Sequence, residues 1–368
     1  MSPETPTPLE TAPELAPLNP AARALALPKV LLHEHLDGGL RVATLLELLQ
    51  ARGLPLPAAA GADVASMAAW FGANAHAGSL DKYLAGFALT VAAMATAQAL
   101  ERVAFEAAED AAAQGAVLAE FRIAPLLFEA YGLDGDTAVQ AMLAGLARSP
   151  LPLGTASGLI VCAMRHLPPT ETDRAAALAL RHAGQGVIGF DLAGPELGFP
   201  ADAHASALQM VLNGGLGLTL HAGEADSAER VLQAARLGAT RIGHGVRLAD
   251  AIGTADQPLV DEAIARKLHL EVCPTSNIHT GAAASIASHP ITALWRAGIS
   301  LSYHTDNRLI SCVSLADEAL ALLEYTPLTE ADLMQMALQA AAHSFLPASA
   351  RDAAKLAIQQ RAAVLGLG

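Results

Sequence analysis

The two histidines of Leu31-Leu32-His33-Glu34-His35 stand two residues apart at the end of an apolar run. In an extended strand residues i and i+2 share a face, so both imidazoles aim at one spot, a geometry that suits a metal ion. Further groups that could join them follow downstream: His221-Ala222-Gly223-Glu224, Gly243-His244-Gly245 and His304-Thr305-Asp306-Asn307 each close an apolar run. Three imidazoles and one carboxylate, His33, His35, His221 and Asp306, make a nitrogen and oxygen set that suits a single Zn²⁺ and leaves a position for water. Glu224 is expected near the ion without binding it, with His244 on the opposite side. Zinc lowers the pKa of a bound water from about 15.7 to about 7, and a neighbouring glutamate can move protons between nucleophile and leaving group. Hydrolysis is the chemistry to expect. Any one of these residues alone is more often a satisfied core or loop group; all six at four strand ends point to a site.

Such a site needs a frame that gathers four distant segments. Short β-prone runs at 30–33, 116–123, 159–164, 187–192, 218–221, 241–244, 268–272 and 299–303 alternate with Ala-rich helical stretches such as 92–113 and 227–237. Eight strands separated by crossover helices predict an α/β fold, a (β/α)8 TIM-type barrel with extra helices, whose function lies at the C-terminal strand ends. No Gly-x-Gly-x-x-Gly or Walker-type loop follows any of these runs, which disfavours dinucleotide binding and phosphoryl transfer. Residues 1–20, rich in Pro, Thr and Glu and lacking a basic start, read as a disordered tail, leaving 21–368 as one barrel domain.

The formal net charge of −14 argues against a nucleic-acid partner and fits a small neutral or cationic substrate. Three well-separated cysteines, Cys162, Cys273 and Cys312, form neither a disulfide framework nor a zinc site, so a reducing, cytoplasmic setting is expected. The uncharged stretch from Tyr83 to Leu100 is diluted by Ala, Gly, Thr and Gln and reads as a buried helix, not a membrane span. Cys273 is read as packing and Arg122 as an ion pair at the barrel mouth. Strand alternation sets His304 on the same side as Asp306, which leaves a role in the pocket open to it. His76, His166, His182, His204, His269, His279, His289 and His343 are assigned to core or surface.

Seven segments, HEHLDGGL (33 to 40), CAMRH (162 to 166), GFDLAGPE (189 to 196), TLHAGEA (219 to 225), RIGHGVRL (241 to 248), CPTSN (273 to 277) and HTDNRLIS (304 to 311), occur in the order seen in the adenosine deaminase family, which the chain resembles from about Pro28 past Ser311. The resemblance implies a zinc-bearing barrel that hydrolyses adenosine to inosine and ammonia in purine salvage, with a purine nucleoside as its small-molecule partner. It assigns His33, His35, His221 and Asp306 to the zinc, and Glu224 to protonation of purine N1. His244 would orient and help deprotonate the attacking water, and Asp306 would accept a hydrogen bond from it. Asp37, with His35 alongside, matches the contact to the ribose hydroxyls, Gly194 the backbone group facing N3, and Met164 an apolar wall. Many family members carry a second aspartate where this chain has Asn307. An asparagine amide donates to purine N7 at any pH, whereas a carboxylate must first be protonated.

Three alternatives accompany this reading. One keeps the deamination but changes the substrate to adenine, an N6-substituted purine or 6-aminodeoxyfutalosine, with the region around Trp70, Phe71 and Tyr83 as the lid that would decide. Another is a binuclear hydrolase on the same barrel, opposed by the absence of lysine from 187–194. The last is a barrel that only binds a purine or a protein partner, opposed by the full set of catalytic positions.

Overall fold

In the computed structural model, which describes residues 19–75 and 80–367, all eight apolar runs are strands. They are β1 (Lys29–Leu31), β2 (Ala116–Ile123), β3 (Ser157–Met164), β4 (Val187–Ala193), β5 (Gly217–Ala222), β6 (Arg241–His244), β7 (His269–Val272) and β8 (Ser300–Tyr303). Each pairs in parallel with the next in chain order, the arrangement expected of a (β/α)8 barrel. The strands are buried on both faces, which is why they read as near-continuous apolar runs without alternation.

The seam between β8 and β1 closes only near the mouth. There His35 N–H donates to the Asp306 carbonyl at 2.8 Å and Asp306 N–H to the His33 carbonyl at 3.1 Å. Below this point the Leu32 N–H donates instead to His304 Nδ1 at 3.2 Å, and His304 Nε2 meets Ser302 Oγ at 2.7 Å. The His304 ring therefore stands in the seam, not in the pocket that strand alternation left open to it, because it takes the acceptor position a β8 carbonyl would fill. Glu34, between the two histidines, adds charged stitches across the same seam. It accepts from Thr305 Oγ1 and Arg308 Nε, each at 2.7 Å.

Outer helices pack apolar stripes onto the strands. In Ala228–Arg236, between β5 and β6, Val231, Leu232 and Ala235 are buried while Glu229 and Arg236 reach solvent and bond one another. The stretch read as one buried helix around 83–100 is two, Leu80–Met94 and Ala97–Ala113, the second capped by Thr96. Among the described residues no helix is long and apolar enough to cross a membrane. Asn19 and Pro20 begin the helix Pro20–Ala26, with Asn19 capping it; the rest of the expected tail lies outside the described residues. Phe71 is buried and meets Trp70 edge-on at 4.9 Å, a packing arrangement, whereas the Tyr83 side chain lies outside the described set.

Candidate active site

The C-terminal strand ends bring His33, His35, His221, His244, Glu224 and Asp306 to one mouth. Ring centroids of His33 and His221 lie 4.7 Å apart, and those of His33 and His244 5.1 Å. His33, His221, His244 and Asp306 each offer an atom within 4.8 Å of the others, while His35 belongs to an overlapping group with Asp191 and His221. His35 Nε2 stands 3.5 Å from Asp306 Oδ1 and 3.3 Å from His221 Nε2. Gly243 makes the floor: a Cβ there would come within 3.0 Å of the His33 ring and 3.2 Å of His221. Two of these residues, His244 (φ 65°) and Asp306 (φ 56°), sit in the left-handed region, uncommon for residues other than glycine and clustered at functional sites.

Behind the imidazoles stand carboxylates. Glu271 Oε2 lies 3.0 Å from His33 Nδ1, and Asp191 Oδ2 lies 3.0 Å from His221 Nδ1. Each carboxylate accepts a hydrogen bond from its imidazole Nδ1–H, so the opposite nitrogen, Nε2, turns a lone pair inward. His33 Nε2 is buried and has no hydrogen-bond partner. Burial pushes the Asp306 carboxyl up, but His33, His244 and His35 outweigh it and hold Asp306 well below the usual range. Burial likewise holds His35 well below the ordinary imidazole value. Ring nitrogens converging beside an ionised carboxylate, one of them buried with no hydrogen bond, fit a bound cation.

The loop carrying Glu224 is set by Glu196, which the sequence reading quoted but left without a role. Its two carboxylate oxygens accept the backbone N–H groups of Gly223 (2.6 Å), Glu224 (3.0 Å), Ala225 (2.9 Å) and Asp226 (3.0 Å). Ser276 donates to Asp306 Oδ2 at 2.6 Å, and Asn277 and Thr280 both donate to Glu224 Oε1. Arg122 forms the expected ion pair, level with Glu34 and His35 in the backbone but fully buried, bonding Asp191 and Glu271. Cys273 is buried and its thiol is pushed well up, as a packing residue should be.

The remaining expected residues lie at or just beyond the C-terminal ends of β1, β3, β4 and β8. Asp37 is buried in the turn Leu36–Gly38; burial, with Asp306 nearby, raises it to about 7, and its Oδ1 has no hydrogen-bond partner. Asn307 packs against Gly38, where a Cβ would strike Asn307 Oδ1 at 2.2 Å. Gly194 (φ +95°) ends β4 beside Met164, whose Cε would lie 3.3 Å from a Cβ at Gly194, so backbone and thioether meet only because glycine is there.

An eight-stranded barrel that gathers four imidazoles and an aspartate at its C-terminal mouth belongs to the class of barrel enzymes with a candidate metal centre. The family model for adenosine deaminase matches residues 28–360. An adenosine deaminase of a Mycobacterium species (strain KMS) is 43% identical over 333 residues, 87% of this chain and 91% of its own length. The adenosine deaminase of Mycobacterium tuberculosis (strain H37Rv) is 41% identical over 334 residues, 87% and 90% of the two chains. The solved structure of an adenine deaminase from Arthrobacter aurescens superposes with a TM-score of 0.80 at 23% identity, over 91% of this chain and 98% of that one, a likeness of fold. The chain belongs to the adenosine deaminase family.

Proposed function

We propose that this chain, as one barrel domain over 21–368, hydrolytically deaminates adenosine and 2′-deoxyadenosine in the cytoplasm, using one Zn²⁺ per chain. The observation that carries the reading is the inward-facing, buried Nε2 of His33, which makes no hydrogen bond and stands 3.2 Å from the Asp306 carboxylate oxygen. His33, His35, His221 and Asp306 would hold the ion. Bound zinc would supply a water whose pKa is lowered to about 7. Hydrolysis needs that water's two protons to end on purine N1 and on the departing ammonia. Glu224 exchanges a proton with N1, which makes C6 more electrophilic, while His244 and Asp306 orient the attacking water. Asp37 and His35 take the ribose hydroxyls, the Gly194 backbone faces N3, Met164 walls the base and the Asn307 amide donates to N7.

The unpartnered Asp37 oxygen favours a ribose-bearing substrate over free adenine. Purified protein should therefore deplete the adenosine absorbance band and carry one zinc per chain. Side-by-side assays with 2′-deoxyadenosine, adenine and 6-aminodeoxyfutalosine test the substrate. Turnover of either of the last two without turnover of adenosine would replace this reading.

A further inference from the structure

A neutral imidazole carries one proton, and the nitrogen that carries it decides where the ring donates and where it accepts. For His244 that choice is made by a chain of contacts that begins outside the site. The backbone N–H of Ile291 donates to His289 Nδ1 at 3.0 Å. Burial, with His244 nearby, pushes His289 down to about 4, so near neutrality its ring is uncharged and its proton sits on Nε2. That nitrogen faces Asn277 Oδ1 at 3.3 Å. The carboxamide is thereby held with its oxygen toward His289 and its NH₂ toward the site. Both N–H bonds are used, one to Glu224 Oε1 at 3.1 Å and one to His244 Nδ1 at 3.0 Å. Turning the amide over would set its oxygen against the Glu224 carboxylate, acceptor against acceptor.

With Nδ1 accepting, the His244 proton belongs on Nε2, the nitrogen that stands 3.6 Å from Glu224 Oε2. Thr280 Oγ1 donates to Glu224 Oε1 at 2.8 Å, so Oε1 is held by two donors and Oε2 is the oxygen left to exchange a proton.

We infer that Asn277, oriented by His289, is a positioning residue that makes His244 a hydrogen-bond donor to the attacking oxygen, not its base, and presents Glu224 Oε2 to the purine. Asp306 and Glu224, the two carboxylates of the proposed site, then remain to accept the water's proton. The inference rests on the deamination proposed above, but the ring tautomer is read without substrate.

Nitrogen-15 NMR of the zinc-loaded protein, labelled at histidine, should show His244 with an unprotonated Nδ1 and a protonated Nε2. In Asn277→Asp the new group can only accept, so the proton moves to Nδ1. We expect kcat to fall about 10- to 100-fold, the usual scale for an orienting partner, with KM and zinc content near wild type. His289→Leu should give part of the same loss, and His289→Gln, which keeps an N–H at that position, should recover much of it. A wild-type His244 protonated at Nδ1, an Asn277→Asp kcat within about twofold of wild type, or a His289→Gln no better than His289→Leu would each overturn the inference. An Nε2–H tautomer in a protein that turns over no aminopurine would overturn the reaction and leave the tautomer relay supported.

Discussion

Arg122 on β2 and Glu271 on β7 face each other across the barrel interior as a fully buried ion pair, Nη2 to Oε2 at 2.6 Å. The same guanidinium bonds Asp191 at 2.8 Å, so one cation serves the two carboxylates that stand behind His33 and His221. Burial pushes both acids up, but His221 and Arg122 outweigh it at Asp191, and Arg122 and Arg241 at Glu271, holding both well below the usual carboxylate range. Arg122→Met should therefore cost about 3–5 kcal/mol in urea unfolding, since it leaves buried Asp191 without a bonded guanidinium and Glu271 with Arg241 alone. It should also weaken metal binding about 10- to 100-fold in chelator competition. Unchanged metal affinity would mean that the carboxylates orient their histidines without Arg122.

Glu224→Gln keeps the hydrogen-bonding shape but removes the exchangeable carboxyl. Metal content should be unchanged, and kcat should fall at least about 100-fold, the lower range for a lost general acid or base. A variant with wild-type turnover would sink the proposed proton route.

Glu318 accepts the Thr275 N–H at 3.0 Å from a buried position, and burial raises it from 4.5 to about 8. Between those values the folded chain holds a proton that the unfolded chain has released. Stability contributed by this group is complete below 4.5 and declines as pH rises toward about 8. Asp37, raised to about 7, acts in the same direction, so the comparison with Glu318→Gln isolates Glu318. Urea midpoints should fall less steeply with pH in the variant than in wild type; equal slopes would show that Glu318 does not titrate in that window.

The fold was legible because parallel strands buried on both faces leave continuous apolar runs, and each of the eight is a strand to within a few residues. β1 ends two residues sooner than the apolar run suggests, at Leu31 instead of His33, because the Leu32 N–H goes to the His304 ring. The site's front layer was legible too, since His33, His35, His221, His244 and Asp306 sit at strand ends where an apolar run breaks. Its rear layer was not. Asp191 and Glu271 lie within strands, where an acid gives no sign of which distant imidazole it faces, and Arg122 reveals its two partners only once β2, β4 and β7 have closed into a ring. Asn277 and His289 escaped for a similar reason: their meaning lies in an amide orientation, which spacing along the chain does not encode.

The closing bonds of the barrel run between His33, His35 and Asp306, residues that follow its first and last strands and belong to the candidate metal groups. Site assembly and ring closure are consequently one event, and a nascent chain that has not yet made β8 has no complete set of ligands to offer. By mass action, a cation that binds only the closed ring stabilises it, by about 2.7 kcal/mol at one hundred times its dissociation constant. The ion so held would act as a clasp on the first and last strands as well as a reagent, coupling the supply of metal to the lifetime of the fold.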